Sequence, residues 1–402
     1  MIRINHPNDI ARIRRLSLSS QGLFKTAPFG SGLAGARKAI QHIGYLQLDT
    51  ISVIERAHHH VLYSRVPNFK PHHLDKLLLN KEIFEYWSHA AAFLPIEDYR
   101  YSLPYKHAIK NGQTHWYKNP DKKLMKELLD RIRTDGPLRS RDIETASKKQ
   151  AGWWDWKPSK KALEQLYMQG DLMVTNRHGF QKTYDLAERV LPSSIDTSMP
   201  TIGEFARHMV EQQLKCHGLV SLKGFTYLRR NPALRKAVKE LTQNLLTENK
   251  LQEIQINDTE VFYITTGLLD SSLLRANKRL TILSPFDNCV IQRDRLKTIF
   301  DFDYQIECYL PATKRKFGYF CLPLLFGEQF IGRMDCKAHR ADRHLEIRAL
   351  YIEHPKIDFD GFLDAFSKCL KAFCHFQNCD SISIKTIQPT GYATALNTAV
   401  EI

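Results

Sequence analysis

The segment Gln47-Leu48-Asp49 ends a short run, YLQLD, that reads as a strand. On a strand, residues i and i+2 face the same side, so the Gln47 amide and the Asp49 carboxylate project together. A carboxylate beside an amide can hold a water, activate it, and stabilise an oxocarbenium-like centre on a sugar. A second use of Asp49 stays open: it could cap a helix starting near Ile51, with Gln47 then only a surface residue. Spacing alone favours the cap.

The next stretch, SVIERAHHHVLYSR, carries His58, His59 and His60 in succession on a helical pattern. Consecutive helical residues point about 100° apart, so the three cannot ligate one metal. They read as one partly buried histidine and two surface donors, or as phosphate contacts near Asp49. Trp153, Trp154 and Trp156, interleaved with Asp155 and Lys157, precede a predicted helix and serve either as core anchors or as base-stacking aromatics. Lys314, Arg315 and Lys316, followed by Phe317, are expected at a hairpin tip between two strands, suited to a DNA groove or simply solvated. No G-x-x-x-x-G-K-[ST], Rossmann glycine fingerprint or H-E-x-x-H occurs, so no metal and no soluble cofactor is called for.

The chain of 402 residues is long enough for roughly two to four domains, and 43% hydrophobic with 25% charged residues is the composition of a folded globular protein. No apolar run approaches the length of a membrane span, and the charged opening MIRINHPNDIARIRR is unlike a signal peptide, so a cytoplasmic protein is expected. All eight cysteines lie after residue 215 without a C-x-x-C pair, which suits reduced, mostly buried thiols. The net charge of +15 is uneven: residues 1–90 hold 12 basic and 6 acidic side chains, and residues 91–195 hold 19 and 13. A positive excess concentrated in one half points to a face that docks on nucleic acid phosphates.

The elements that must carry these residues repeat. In the second stretch, DKKLMKELLDRIRTDGPLRSRDIETA gives a helix, a Gly136-Pro137 break and a second short helix. PSKKALEQLYMQG gives a third, and DLMVTNRHGFQKTYDLAERV alternates about a His178-Gly179 turn as a β-hairpin does. Three helices and a hairpin make the order of a winged helix. The third stretch repeats it, with a capping box at Thr201 and Glu204 and a turn at Asn257-Asp258. The N-terminal stretch is a looser version. After residue 277 short runs rich in β-formers, from RLTILSPFDNCVI through DYQIECYLPA to HLEIRALYIE, suggest a curled antiparallel sheet, closed by a helix over 360–378 and a last strand, SISIKTI. The expected fold class is α+β: about three tandem winged-helix units at 1–90, 91–195 and 196–276, then a barrel-like β-rich region at 277–402.

The run from Gln47 through Asp49, Arg56 and His58-His59-His60 to Arg65 resembles the winged-helix DNA glycosylases of the AlkZ and YcaQ family, as do SHAAAFLPIEDY and the stretches near 284–340. The Gln47-x-Asp49 form is similar to the bacterial repair branch, of YcaQ type. The resemblance implies a monofunctional DNA glycosylase that removes N7-alkylated purines and unhooks interstrand crosslinks, with Asp49 and Gln47 catalytic. Arg56, His58, His59, Arg65 and the Lys314–Lys316 triplet are expected on duplex DNA, with no obligate protein partner, in a monomer at the nucleoid, although the sequence leaves the oligomeric state open. An open, basic cleft is expected, because a crosslinked nucleotide cannot swing freely out of the duplex. The alternative is a non-catalytic winged-helix regulator, since that architecture more often binds DNA than acts on it.

Overall fold

The computed structural model describes residues 1–143, 158–257, 260–272, 275, 277–354 and 357–400. Trp153, Trp154, Trp156 and the Asp258 half of the expected turn lie outside the described residues.

The architecture is mixed α+β, and its first three sheets repeat one order of helix, short strand, helix and hairpin. In the first, helix Gly32–Ile43 buries Ala36, Ala39, Ile40 and Ile43 along one face and stops at Gly44, whose φ of +80° only glycine adopts without strain. The strand Leu46–Gln47 follows, then helices Ala57–Tyr63 and His72–Leu79 and the hairpin Ile83–Trp87/Ala91–Pro95, which completes a three-stranded sheet. In the second, helix Lys122–Asp135, strand Leu138–Arg139, helix Pro158–Met168 and the hairpin Leu172–His178/Gln181–Leu186 form the same arrangement. One continuous apolar cluster, from Ala36 through Phe84 and Leu163 to Leu186, serves both, so the two share a core.

The third sheet differs from the expected division at one point. Leu219–Ser221, Val261–Thr265 and Leu251–Ile256 are joined by Ile2–Ile4, which pairs in parallel with Leu251–Ile256. The first residues of the chain thus complete the sheet of the third unit rather than of the first. Three residues are too short to show a period, and their partner is about 250 positions away, so nothing local announces the pairing.

The C-terminal region corrects the expectation of an all-antiparallel, barrel-like sheet. Leu280–Ile282, Cys321–Phe326, Gln329–His339 and His344–Ile352 are antiparallel neighbours, but Ser381–Ile384 and Ile387–Gln388 pair in parallel with His344–Ile352. Helix Phe359–Phe376 makes the crossover that returns the chain in the same direction. Leu280–Ile282 lies at one edge of the strand order and Ser381–Ile384 at the other, so among the described residues the sheet is open. DYQIECYLPA forms no strand; residues 301–310 are irregular. Six of the eight cysteines are buried and none is in a disulfide.

Candidate active site

Asp49 sits where two anchored segments meet. Before it, the ladder of the first sheet pairs Gln47 with Ala92 and continues through the Leu48 N–H, which donates to Ala91 O at 2.8 Å. After it, residues 51–57 are pinned to the C-terminal region. Ala338 N–H donates to Val53 O at 2.8 Å, Arg340 donates to the carbonyls of Ser52 and Ile54 at 2.8 and 2.9 Å, and Ile54 and Ala57 join the apolar core of that sheet. Backbone fastened on both sides fixes a side chain better than a free loop can.

One oxygen of the half-buried Asp49 carboxylate accepts the Ile51 N–H at 3.1 Å. That is the bond a cap would make, but no helix starts there; the next begins at Ala57. The carboxylate instead closes a local turn and lines a cavity of about 340 Å³. Burial raises its pKa, partly offset by the N–H groups of Ile51 and Thr50.

One wall of the cavity comes from the helix Ala57–Tyr63 and the other from the second hairpin. Arg56 stacks its guanidinium 3.9 Å from the ring centre of Phe180, the exposed tip of that hairpin. Beneath them Glu85, 2% exposed, accepts from Arg177 Nε and Nη2 at 2.6 and 2.8 Å and lies 3.0 Å from Lys182 Nζ. Burial alone would push the Glu85 carboxyl up, but the two cations hold it down at about 2. This triad ties the hairpin to strand Ile83–Trp87. A lone acid inside the apolar run IFEYW was the available sequence signal, since a buried charge needs partners.

The three histidines go three ways. His59 donates through Nδ1 to Glu55 at 2.9 Å, and His60 through Nε2 to the Ile282 carbonyl at 2.9 Å. His58 is buried against the cavity with Nδ1 unpartnered, and burial, aided by the charges of His59, Arg177 and Arg56, keeps it neutral. Among the described residues no group of three His, Cys, Asp or Glu side chains could hold a metal ion.

Gln47 is half-buried, and its Oε1 accepts from Nε2 of His89 at 3.1 Å. His89 stands in the turn of the first hairpin, and sequence reasoning passed over it. Burial, with the charge of Arg229 second, lowers its pKa to about 4.

Arg65 corrects another expectation. It is 2% exposed and grips Asp287 through two bonds of 2.6 and 2.8 Å, while Nε donates to Gln21 O at 2.8 Å. With its donors spent in the interior it cannot meet a phosphate, and its place is structural.

Lys314, Arg315 and Lys316 lie not on a hairpin tip but in a folded loop that begins with a 3-10 turn, Ala312–Lys314. Glu307 shapes the loop by accepting the N–H groups of Lys316, Phe317 and Gly318 at 3.0, 2.9 and 3.1 Å. Arg315 turns back to the Leu310 carbonyl at 3.0 Å, which leaves Lys314 and Lys316 exposed. In the segment before this loop, burial first, then the field of Cys308 and then that of the Asp49 carboxylate raise the Tyr309 phenol. Tyr309 is 74% exposed.

A family model described as "DNA glycosylase AlkZ-like" matches residues 40–376, a span that includes Gln47, Asp49, Glu85, His89 and the Lys314–Lys316 triplet. Among solved structures, the chain is similar to the Streptomyces sahachiroi DNA glycosylase AlkZ, with a TM-score of 0.59 and 13% sequence identity over 94% of this chain and 98% of that one. At that identity the likeness is one of fold.

Proposed function

Since the chain belongs to the AlkZ-like DNA glycosylase family, we propose that it hydrolyses the N-glycosidic bond of N7-alkylated purines and unhooks interstrand crosslinks built on them. The observation that carries this reading is the Asp49 carboxylate, half-buried between two anchored segments at the edge of a cavity whose walls carry Arg56 and Arg177. We read the three helix–hairpin units as winged helices that grip the duplex, with Lys314 and Lys316 on phosphates and Arg56, His58 and His59 at the lesion.

N7-alkylated guanine is cationic and leaves with the electrons of its own glycosidic bond, so general-acid help is unnecessary. Charge then develops at C1′, where a carboxylate in a partly desolvated site stabilises it more than one in water. Asp49 accepts a proton from the attacking water, and Gln47 holds that water. The products are the free base and an abasic site, with no strand cleavage and no lysine adduct. No helix among the described residues is long and apolar enough to cross a membrane, and we place the enzyme on the nucleoid, where its substrate lies.

A duplex carrying 7-methylguanine, and a second carrying a nitrogen-mustard crosslink, test the reading. Asp49→Asn should slow base release by about 10²-fold or more with duplex affinity nearly unchanged. Because the carboxylate form does the work and burial raises its pKa, the wild-type rate should fall on acidification at a pH above the usual aspartate value of about 3.9. Undiminished release by Asp49→Asn removes this mechanism. A regulator would release no base from either duplex and would prefer one sequence strongly.

A further inference from the structure

An amide can hold a water in two senses, with its oxygen or with its NH₂ group toward it, and a free side chain samples both. Gln47 is not free. Its Oε1 is engaged by His89 Nε2 at 3.1 Å. A neutral imidazole carries one proton, and a bond to an acceptor oxygen puts that proton on Nε2. The Gln47 NH₂ group is then the part left unpartnered by His89.

The imidazole is itself held. Tyr45 meets it edge-on at 4.9 Å with an 86° interplanar angle, and Tyr227 does so at 5.5 Å and 70°. Tyr227 is fixed by donating its hydroxyl to the Ile291 carbonyl at 2.9 Å. The turn that carries His89 is closed by Ser88 N–H donating to Ala90 O at 2.9 Å. His89 belongs to the first hairpin and Tyr227 to the third unit, so the ring is clamped only when both are in place. The nearby titratable groups are Arg229, which opposes protonation of His89, and Asp98 and His208, which line the same small chamber; burial lowers the His208 pKa to about 4.

We propose that His89 is a positioning residue: its Nε2–H fixes the Gln47 amide so that the NH₂ group donates to one lone pair of the attacking water. The water then gives a proton to Asp49 and keeps its second lone pair for C1′. His89 touches neither the base nor the sugar. The proposal rests on the reading of Gln47 given above and adds what sets the sense of its amide.

The test uses the full chain and single-turnover release of 7-methylguanine, with duplex affinity measured separately. A net hydrogen bond of ordinary strength corresponds to about two- to tenfold in rate. His89→Leu should therefore slow release by up to about tenfold and leave the duplex Kd within about twofold. His89→Gln, which can present an N–H near the same point, should recover most of that loss. In the Gln47→Ala background, His89→Leu should cost less than about twofold more, because the group it acts through is gone. Additive losses in the double variant, a His89→Leu rate equal to wild type, or a His89→Gln rate no better than His89→Leu each overturn the proposal. A Gln47→Ala variant as fast as wild type overturns instead the role given to Gln47, a distinct result.

Discussion

Replacing Glu85 by glutamine should loosen the wall of the cavity without touching Asp49. Arg177 and Lys182 are direct cross-strand partners in the second hairpin, two like charges side by side, which repel unless an anion lies between them. Glu85 supplies it from strand Ile83–Trp87 with its side chain fully buried. Its pKa falls from 4.5 to about 2, and at about 1.4 kcal/mol per unit the ionic link contributes on the order of 3 kcal/mol. That lies at the lower end of the roughly 3–5 kcal/mol lost when one partner of a buried pair is removed. The folded-state pKa is depressed, so this stability is present in full above pH 4.5 and is lost as pH falls toward about 2. Hydrogen exchange reads it locally. At pH 7 the amides of Val174 and Tyr184, paired across the hairpin, should lose about two orders of magnitude of protection in Glu85→Gln, and the gap to wild type should close in acid. Equal protection at pH 7, or a gap that persists at pH 2, would refute the ionic account. Because Phe180 and Arg56 depend on the hairpin's position, base release should slow while Asp49 keeps its hydrogen bond.

Two further perturbations separate surface from interior cations. Lys314→Ala and Lys316→Ala should each weaken duplex binding, reduce the slope of log K against log salt by about 0.9, and leave the rate at saturation unchanged. Arg65→Leu should leave the salt slope alone and destabilise the fold by about 3–5 kcal/mol, since Asp287 would remain buried without its partner; a thermal scan with a salt titration of the same sample distinguishes the two.

Sequence revealed what is local. The capping box at Thr201 and Glu204 is present in both directions, at 3.2 and 2.8 Å, because its spacing and its geometry are the same fact. The alternating run on either side of Gly179 does form a hairpin, and the helices Pro7–Ser20 and Gly32–Ile43 follow their apolar period. Gln47 and Asp49 could be put forward as a pair because both stand within three residues of one another. What failed depended on distance along the chain. Arg65 looked like a surface cation because its anion, Asp287, is more than 200 residues away. DYQIECYLPA has strand composition, yet Glu307 within it gathers three backbone N–H groups and winds the segment into a loop. The parallel return through Phe359–Phe376 is a matter of topology, which composition does not encode.

The depth of Asp49 follows from the same long-range assembly. If it stood on an exposed loop, water would screen its field and C1′ would gain little. If it were buried as fully as Glu85 but without cations, desolvation would protonate it near neutral pH and take away the negative charge the reaction needs. The observed position lies between these limits: the first sheet holds the residue before it, the C-terminal sheet holds the segment after it, and two N–H groups partly offset the burial. A carboxylate so placed is raised in pKa by burial while it still lines an accessible cavity. On the proposed reading, that placement suits a base still tethered to the opposite strand.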